Sequence, residues 1–320
     1  MKFHPICCLM VATMVAACSG GGTSSKTTSP APAGPRTTIA LITHQTPGDT
    51  FWDLVRRGAE AAAAKDNTEL QYSHDPDAAK QADLVRAAMN NKVAGIAVTL
   101  ARPDVMAPAV QAAVAAGIPV VVINSGIADW KGVGALEYFG QDEMLAGQAA
   151  GERFTREGAK DVLCVVHEPG HVALESRCAG LAKGFNGKTQ TLDVDGVNES
   201  MVKGAVIARL HEDFGIDRIL TLGAPVAMAA LEAVGEANSY AKVATFDTNS
   251  AIVEAIKNGT VEWAIDQQPF LQGYLAVDAL WLYFTNRNVI GGGLPTLTGP
   301  SFVDETNIES VAERAQAGTR

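Results

Sequence analysis

The sequence predicts an α/β protein of two doubly wound lobes, each a parallel sheet covered by helices on both faces. Three observations lead there. Short β-branched apolar runs alternate with Ala-rich stretches of helical spacing. The runs are nearly continuous in apolar residues, as strands buried on both faces are. The whole alternation is then written a second time, which two tandem sheets explain and one does not. With 320 residues, 47% hydrophobic and 19% charged, the chain has material for two cores and is too apolar to be mainly disordered.

In chain order, Thr38 to Thr43 (TIALIT), Leu70 to Ser73, Gly95 to Thr99 and Pro119 to Asn124 read as strands. Helices are expected over 51–65, 77–91 and 104–116, the last stopped by Gly117 ahead of Pro119. The second unit runs helix 142–157, strand 161–166 (DVLCVV), helix 172–185, strand 190–194, helix 199–213, strand 218–222, helix 226–236 and strand 242–246. A helix over 249–258, a strand over 261–265, a long helix over 269–285 and a tail complete the chain. Open sheets of this kind bind ligands outside the carboxyl ends of their strands, so the residues after each strand are the functional candidates.

The segment before the first strand reads as an address. Lys2 precedes an apolar stretch from Ile6 to Ala17 broken only by Thr13. It is shorter than the about 20 residues needed to cross a bilayer, so 1–17 is expected to be a secretory signal. Val15-Ala16-Ala17-Cys18 resembles a bacterial lipobox, making Cys18 the expected lipidation site, and 18–35 then forms a lipidated Cys with a flexible tether. The chain is therefore expected to be extracytoplasmic and anchored to the cell membrane. Of five cysteines, Cys164 and Cys178 remain in the folded part. An oxidising compartment permits them to pair where geometry allows, and two separately buried thiols are the alternative. A net charge of −10 provides no basic field for nucleic acid.

Two motif matches fail on context. His167-Glu168-Pro169-Gly170-His171 fits H-E-x-x-H, but zinc chemistry needs both His on one helix face, and Pro169-Gly170 directly after a strand makes a turn instead. Ala182 to Thr189 (AKGFNGKT) resembles a phosphate loop, yet it leaves a helix and enters a strand, so Gly184 and Gly187 read as helix-stop glycines. No G-x-S-x-G elbow, Cys-x-x-Cys or strand-to-helix G-x-G-x-x-G is present. No enzyme activity, cofactor or metal is expected.

What remains is a set of polar residues behind strands. His44-Gln45-Thr46-Pro47-Gly48-Asp49-Thr50-Phe51-Trp52 joins hydrogen-bonding groups to two aromatics at a helix start. A sugar or polyol needs both kinds: planar polar side chains hold hydroxyls in pairs, and aromatic faces cover C–H surface. The plainer reading makes Asp49 or Thr50 a helix cap and one of the aromatics core. Thr99, Asn124-Ser125, His171 with Arg177, Asp247-Thr248-Asn249 and Asp266-Gln267-Gln268 follow other strands. Each alone suits a turn; together, on two facing sheet edges, they would enclose one polar cleft.

At this point the chain resembles the periplasmic sugar-binding proteins that feed ABC importers, the group of the ribose- and galactose-binding proteins. TIALIT with its polar turn, VAGIAVTLARPDVMAPAVQAAVAAGIPVVVINSG, YFGQDEMLAGQAAGERF, VATFDTNSAIVEAIKNG and AIDQQPFLQGYLAVDAL carry the resemblance. It implies the type I periplasmic binding protein fold: two lobes joined by a three-crossing hinge and closing on ligand by hinge bending. The crossings fall near Gly140-Gln141, Gln267-Gln268 and Gly299 to Ser301. The lobes become 36–140 plus 268–300 and 141–267 plus 301–320. Carried over as ligand-binding residues are His44, Asp49, Phe51, Trp52, Thr99, Asn124, Arg177, Asp247 and Gln267. The loop Glu168 to His171 resembles the galactose-binding branch and adds His171.

The resemblance implies a monomeric solute-binding protein that delivers a small neutral sugar or polyol to a membrane permease. Departures bear on the ligand: Asn124-Ser125 stands where Asp-Arg is frequent, and Gly223-Ala224-Pro225 where ribose binders carry Asn-Asp. Fewer fixed donors suit a linear polyol, a small or deoxy sugar, or a furanosyl autoinducer-like molecule. The alternative function is a sensor presenting its loaded form to a membrane receptor. An amino acid held by Asp247 and Arg177 is a further ligand class, and the effector half of a repressor is disfavoured because no helix-turn-helix precedes the lobes.

Overall fold

The structure, a computed structural model, describes residues 36–320. The expected signal, Cys18 and the tether lie outside the described residues. The first unit runs β1 (Thr38–Thr43), α1 (Phe51–Lys65), β2 (Glu69–His74), α2 (Ala78–Asn90), β3 (Gly95–Val98), α3 (Pro103–Ala115), β4 (Val120–Ile123) and β5 (Glu137–Gly140). The second runs α4 (Glu143–Arg156), β6 (Asp161–Val166), α5 (Val172–Gly184), β7 (Lys188–Asp193), α6 (Glu199–Glu212), β8 (Arg218–Thr221), α7 (Ala224–Glu236), β9 (Lys242–Phe246), α8 (Ser250–Lys257) and β10 (Val261–Asp266). The chain ends in α9 (Pro269–Asn286), β11 (Thr296–Leu297), β12 (Ser301–Val303) and α10 (Ile308–Gln316).

Each lobe holds one six-stranded sheet, ordered β2-β1-β3-β4-β5-β11 and β7-β6-β8-β9-β10-β12. Both wind in the same sequence, so one α/β design is present twice. The strands pair in parallel, except that β12 runs antiparallel to β10. The buried runs of β1 from Ile39 onward, β3, β4 and β6 explain their largely apolar sequences, since helices cover both sheet faces. The chain changes sheets after β5, after β10 and again between β11 and β12. These passages, at 141–142, 267–268 and 298–300, put the carboxyl ends of the two sheets opposite each other.

The expected strands and helices up to residue 285 are present within a few residues. Four elements escaped the pattern. β5 carries Glu137 and only four residues, and β11, β12 and α10 occupy what the sequence pattern leaves as a tail without assigned elements. Strands of two or three residues have no periodicity to detect; they exist because a neighbouring sheet edge offers them hydrogen bonds.

The reading of Gly184 and Gly187 as helix-stop glycines is corrected. Neither has the left-handed backbone that such a stop uses, and a Cβ on Gly184 would lie 2.1 Å from the Gln148 carbonyl oxygen. Close backbone contact between α4 and α5 is the reason for it. The same applies where it matters for the site: a Cβ on Gly147 would lie 2.0 Å from the carbonyl oxygen of Arg177. Cys164 on β6 is disulfide-bonded to Cys178 on α5, with Cα atoms 5.9 Å apart. Helix α5 is thus pinned on one side by glycine contact and on another by a covalent bridge. No helix among the described residues is long and apolar enough to cross a membrane.

Candidate functional site

The facing sheet edges enclose a cavity of about 160 Å³. About 150 Å³ accommodates one benzene-sized ring, so the space suits a single small cyclic molecule. Its wall is drawn from both lobes and from the second passage between them.

The first lobe contributes the β1–α1 turn. Phe51 N–H donates to Asp49 Oδ1 at 3.0 Å, so Asp49 both orients the start of α1 and faces the cavity. Trp52 and Phe51 pack edge to face with centroids 5.0 Å apart, and Trp52 meets the His44 ring at 4.7 Å. Both aromatics line the cavity while also belonging to the lobe core, so core and binding roles coincide. Burial raises the Asp49 carboxyl to about 6.

The second lobe contributes the β6–α5 loop and α5. His171 is the N-cap of α5, its Nδ1 accepting from Ala173 N–H at 3.2 Å. Six residues further along α5, Arg177 is 3% exposed and donates to both carboxylate oxygens of Glu143, Nε to Oε2 at 2.6 Å and Nη2 to Oε1 at 3.0 Å. Its Nη1 donates to the Leu222 carbonyl at 3.0 Å, and its guanidinium lies over the Phe246 ring. Arg177 therefore reaches the cavity with its charge already balanced. Glu168, at the rim, is raised to about 7 by burial and by the Asp49 charge.

The passage residue Gln267 joins the two walls. Its Oε1 accepts from Asn124 Nδ2 at 3.0 Å, and its Nε2 donates to Asp247 Oδ1 at 2.8 Å. Asn124 follows β4 and Asp247 follows β9, the same place in each lobe, and both are left-handed, at φ 64° and 66°. Asn and Asp tolerate that region better than other side-chain-bearing residues, which explains the residue types at both sheet ends. Burial raises the Asp247 carboxyl to about 7.

The lobes are closed on one another. Thr46 donates to Glu168 at 3.3 Å, Arg102 to the Pro169 carbonyl at 2.8 Å, and Val172 N–H to the Ala101 carbonyl at 3.2 Å. His44 Nε2 and His171 Nε2 approach to 2.9 Å. Burial lowers His44 to about 3 and His171 well below the ordinary imidazole range, so both rings are neutral.

Of the ten residues singled out in the sequence, nine line the cavity. Thr99 does not: it is fully buried behind His44, whose Nδ1 lies 2.7 Å from its hydroxyl. His44, Glu168 and His171 present ligand-type atoms within 4.8 Å of one another. Their hydrogen bonds oppose a metal, because a metal on His171 Nε2 requires the ring proton on Nδ1, which here accepts from Ala173 N–H. Sequence reasoning missed His167, Thr46 and the apolar wall of Leu222, Pro225 and Val226. His167 follows β6 and Leu222 follows β8, but the first belongs to the H-E-x-x-H match and the second is apolar, so neither carries a signal for polar ligand binding.

A family model described as "periplasmic binding protein domain" matches residues 39–288. The chain belongs to this family. Among periplasmic binding proteins of known structure, a carbohydrate transporter of Acidothermus cellulolyticus solved in complex with myo-inositol is 56% identical. It matches with a TM-score of 0.88 over 89% of this chain and 100% of that one. An ABC sugar transporter, a periplasmic sugar-binding protein from Legionella pneumophila, is 28% identical with a TM-score of 0.74, covering 82% of this chain and 100% of the other. The xylose/arabinose-binding protein of Sulfolobus acidocaldarius is 26% identical over 87% of this chain and 73% of its own length. The periplasmic binding protein fold accounts for the repeated sheet order and the three passages.

Proposed function

We propose that the protein is an extracytoplasmic solute-binding protein of an ABC importer that captures one small cyclic polyol, a cyclitol such as myo-inositol foremost, by closure of its two lobes. The observation that carries this reading is the cavity itself: ring-sized, edged by aromatic faces, and lined by the acceptors Asp49, Glu168 and Asp247. A cyclitol suits it because every ring carbon bears a hydroxyl donor while the C–H faces lie against Trp52 and Phe51. The myo-inositol held by the 56% identical relative supports the same ligand class. His44, Asp49, Phe51, Trp52, Asn124, His171, Arg177, Asp247 and Gln267 form the binding set. Lipidation of Cys18 would keep the loaded protein beside its permease.

Thermal-shift and calorimetric titration of the domain against cyclitols, pentoses, hexoses, linear polyols and amino acids tests this. A cyclitol at about 100 times its Kd should add about 2.7 kcal/mol to stability. A shift with an amino acid and none with any polyol would overturn the reading. For the anchor, Cys18→Ser should move the protein from the membrane to the soluble fraction.

A further inference from the structure

The hydrogen bonds around the two facing imidazoles have only one consistent direction. Ala173 N–H donates to His171 Nδ1 at 3.2 Å, so that nitrogen carries a lone pair and the proton of the neutral ring sits on Nε2. His171 Nε2–H then donates across the cleft to His44 Nε2 at 2.9 Å. His44 must in turn be protonated on Nδ1, which donates to Thr99 Oγ1 at 2.7 Å. Thr99 Oγ1 also accepts from Gln81 Nε2 at 2.9 Å. The orientation of the Gln81 amide is itself determined, because the same Nε2 lies 3.2 Å from the Thr99 carbonyl oxygen and only the N–H end is compatible with it. Gln81 is on α2, fully buried, and is not part of the cavity wall.

We infer that Gln81 and Thr99 are positioning residues that set the tautomer of His44, and through it the hydrogen bond that latches the two lobes in the closed form. The inference rests on the reading that the lobes close on a ligand. With His44 in the other tautomer, two N–H groups face each other at 2.9 Å and the latch becomes a repulsion. With His44 left as Nδ1–H but without its acceptor, a buried donor goes unpaired. Either way the closed form loses relative to the open one, in which His44 and His171 are apart and water satisfies both rings. Ligand affinity falls with it, since only the closed form holds the ligand.

The test uses Thr99→Val, Thr99→Ser and Gln81→Met, with cyclitol affinity measured by calorimetry and ring tautomers read from ¹⁵N chemical shifts of the saturated protein. Wild type should show His44 as Nδ1–H and His171 as Nε2–H. Thr99→Val should weaken binding about tenfold, the worth of one buried hydrogen bond, and Thr99→Ser should restore it. Gln81→Met should weaken binding several-fold although Gln81 is no part of the wall, an effect that a lost ligand contact does not explain. Unchanged affinity in both Thr99→Val and Gln81→Met overturns the inference. Tight binding by a wild type whose His44 is Nε2–H sinks it alone, whereas a wild type that binds no polyol sinks the polyol reading and, with it, the predicted effect on polyol affinity.

Discussion

Replacing Arg177 by Met separates what this residue does for the fold from what it does for the ligand. Arg177 and Glu143 are 3% and 2% exposed and joined by two hydrogen bonds of 2.6 and 3.0 Å. At an effective dielectric of about 20, unit charges about 3 Å apart attract by roughly 5 kcal/mol. Much of that is offset by desolvation in the intact pair, but the offset is not recovered when one partner goes. Arg177→Met leaves a buried, unpaired carboxylate and should cost about 3–5 kcal/mol in urea denaturation of the ligand-free domain. Adding Glu143→Leu removes the orphaned charge and should return part of that stability, the remainder being held back because Gln141 Nε2, which donates to Glu143 Oε2 at 2.8 Å, then loses its buried acceptor. Affinity should not return: the guanidinium has two N–H groups beyond the three used on Glu143 and Leu222, and loss of charged hydrogen bonds to a ligand costs roughly 10- to 150-fold in Kd. Calorimetry on the double variant decides. If it binds polyol as the wild type does, Arg177 is a structural residue only. If Arg177→Met alone costs under about 1 kcal/mol, the buried-pair reasoning fails.

Three further outcomes follow from the same geometry. Reducing Cys164–Cys178, which closes a 14-residue separation, should lower stability by about 3 kcal/mol, read as a shift of the urea midpoint with reductant. Gly147→Ala puts a methyl 2.0 Å from the Arg177 carbonyl oxygen and should cost about 1–3 kcal/mol while weakening ligand binding; Gly204→Ala, within α6 with nothing inside 4 Å, should instead stabilise by about 0.5–1 kcal/mol. Asp247 is raised from 3.8 to about 7 by burial, so between those values the closed fold holds a proton that the unfolded chain has lost. The share of stability from Asp247 should therefore fall as pH rises through that window, by at most about 4 kcal/mol and less where the ligand-free cleft opens; Asp49 and Glu168, raised to about 6 and about 7, add slope of the same sign, so Asp247→Asn should reduce the difference between urea melts at pH 4.5 and 7.5 without abolishing it.

The fold was legible because its causes are local. A strand buried on both faces must be apolar along its centre, and TIALIT, GIAV and DVLCVV state that without reference to anything else in the chain. The polar residues behind those strands were legible for a similar reason: in doubly wound sheets the strand ends meet the ligand, and Asn124 and Asp247 add residue types that tolerate a left-handed turn. Elements that exist only through a neighbour were not legible. β11 and β12 are two and three residues long, and Gly184, which reads as a helix stop in the sequence, is required instead by the Gln148 carbonyl packed beside it.

Sequence alone thus determined the repeated α/β architecture and the polar strand ends, and it named nine of the residues that line the cavity, since each follows from the chemistry of a short segment. Only the tertiary structure decided which polar groups face the cavity and which stand behind it. Thr99 and His44 both follow strands, yet one lines the wall and the other supports it from behind. Cys164 and Cys178 pair, the charge of Arg177 is balanced by Glu143, and Gln267 ties Asn124 to Asp247. Each of these joins residues from different elements. Their partners are set by how two sheets and their helices pack, which no short stretch of sequence contains.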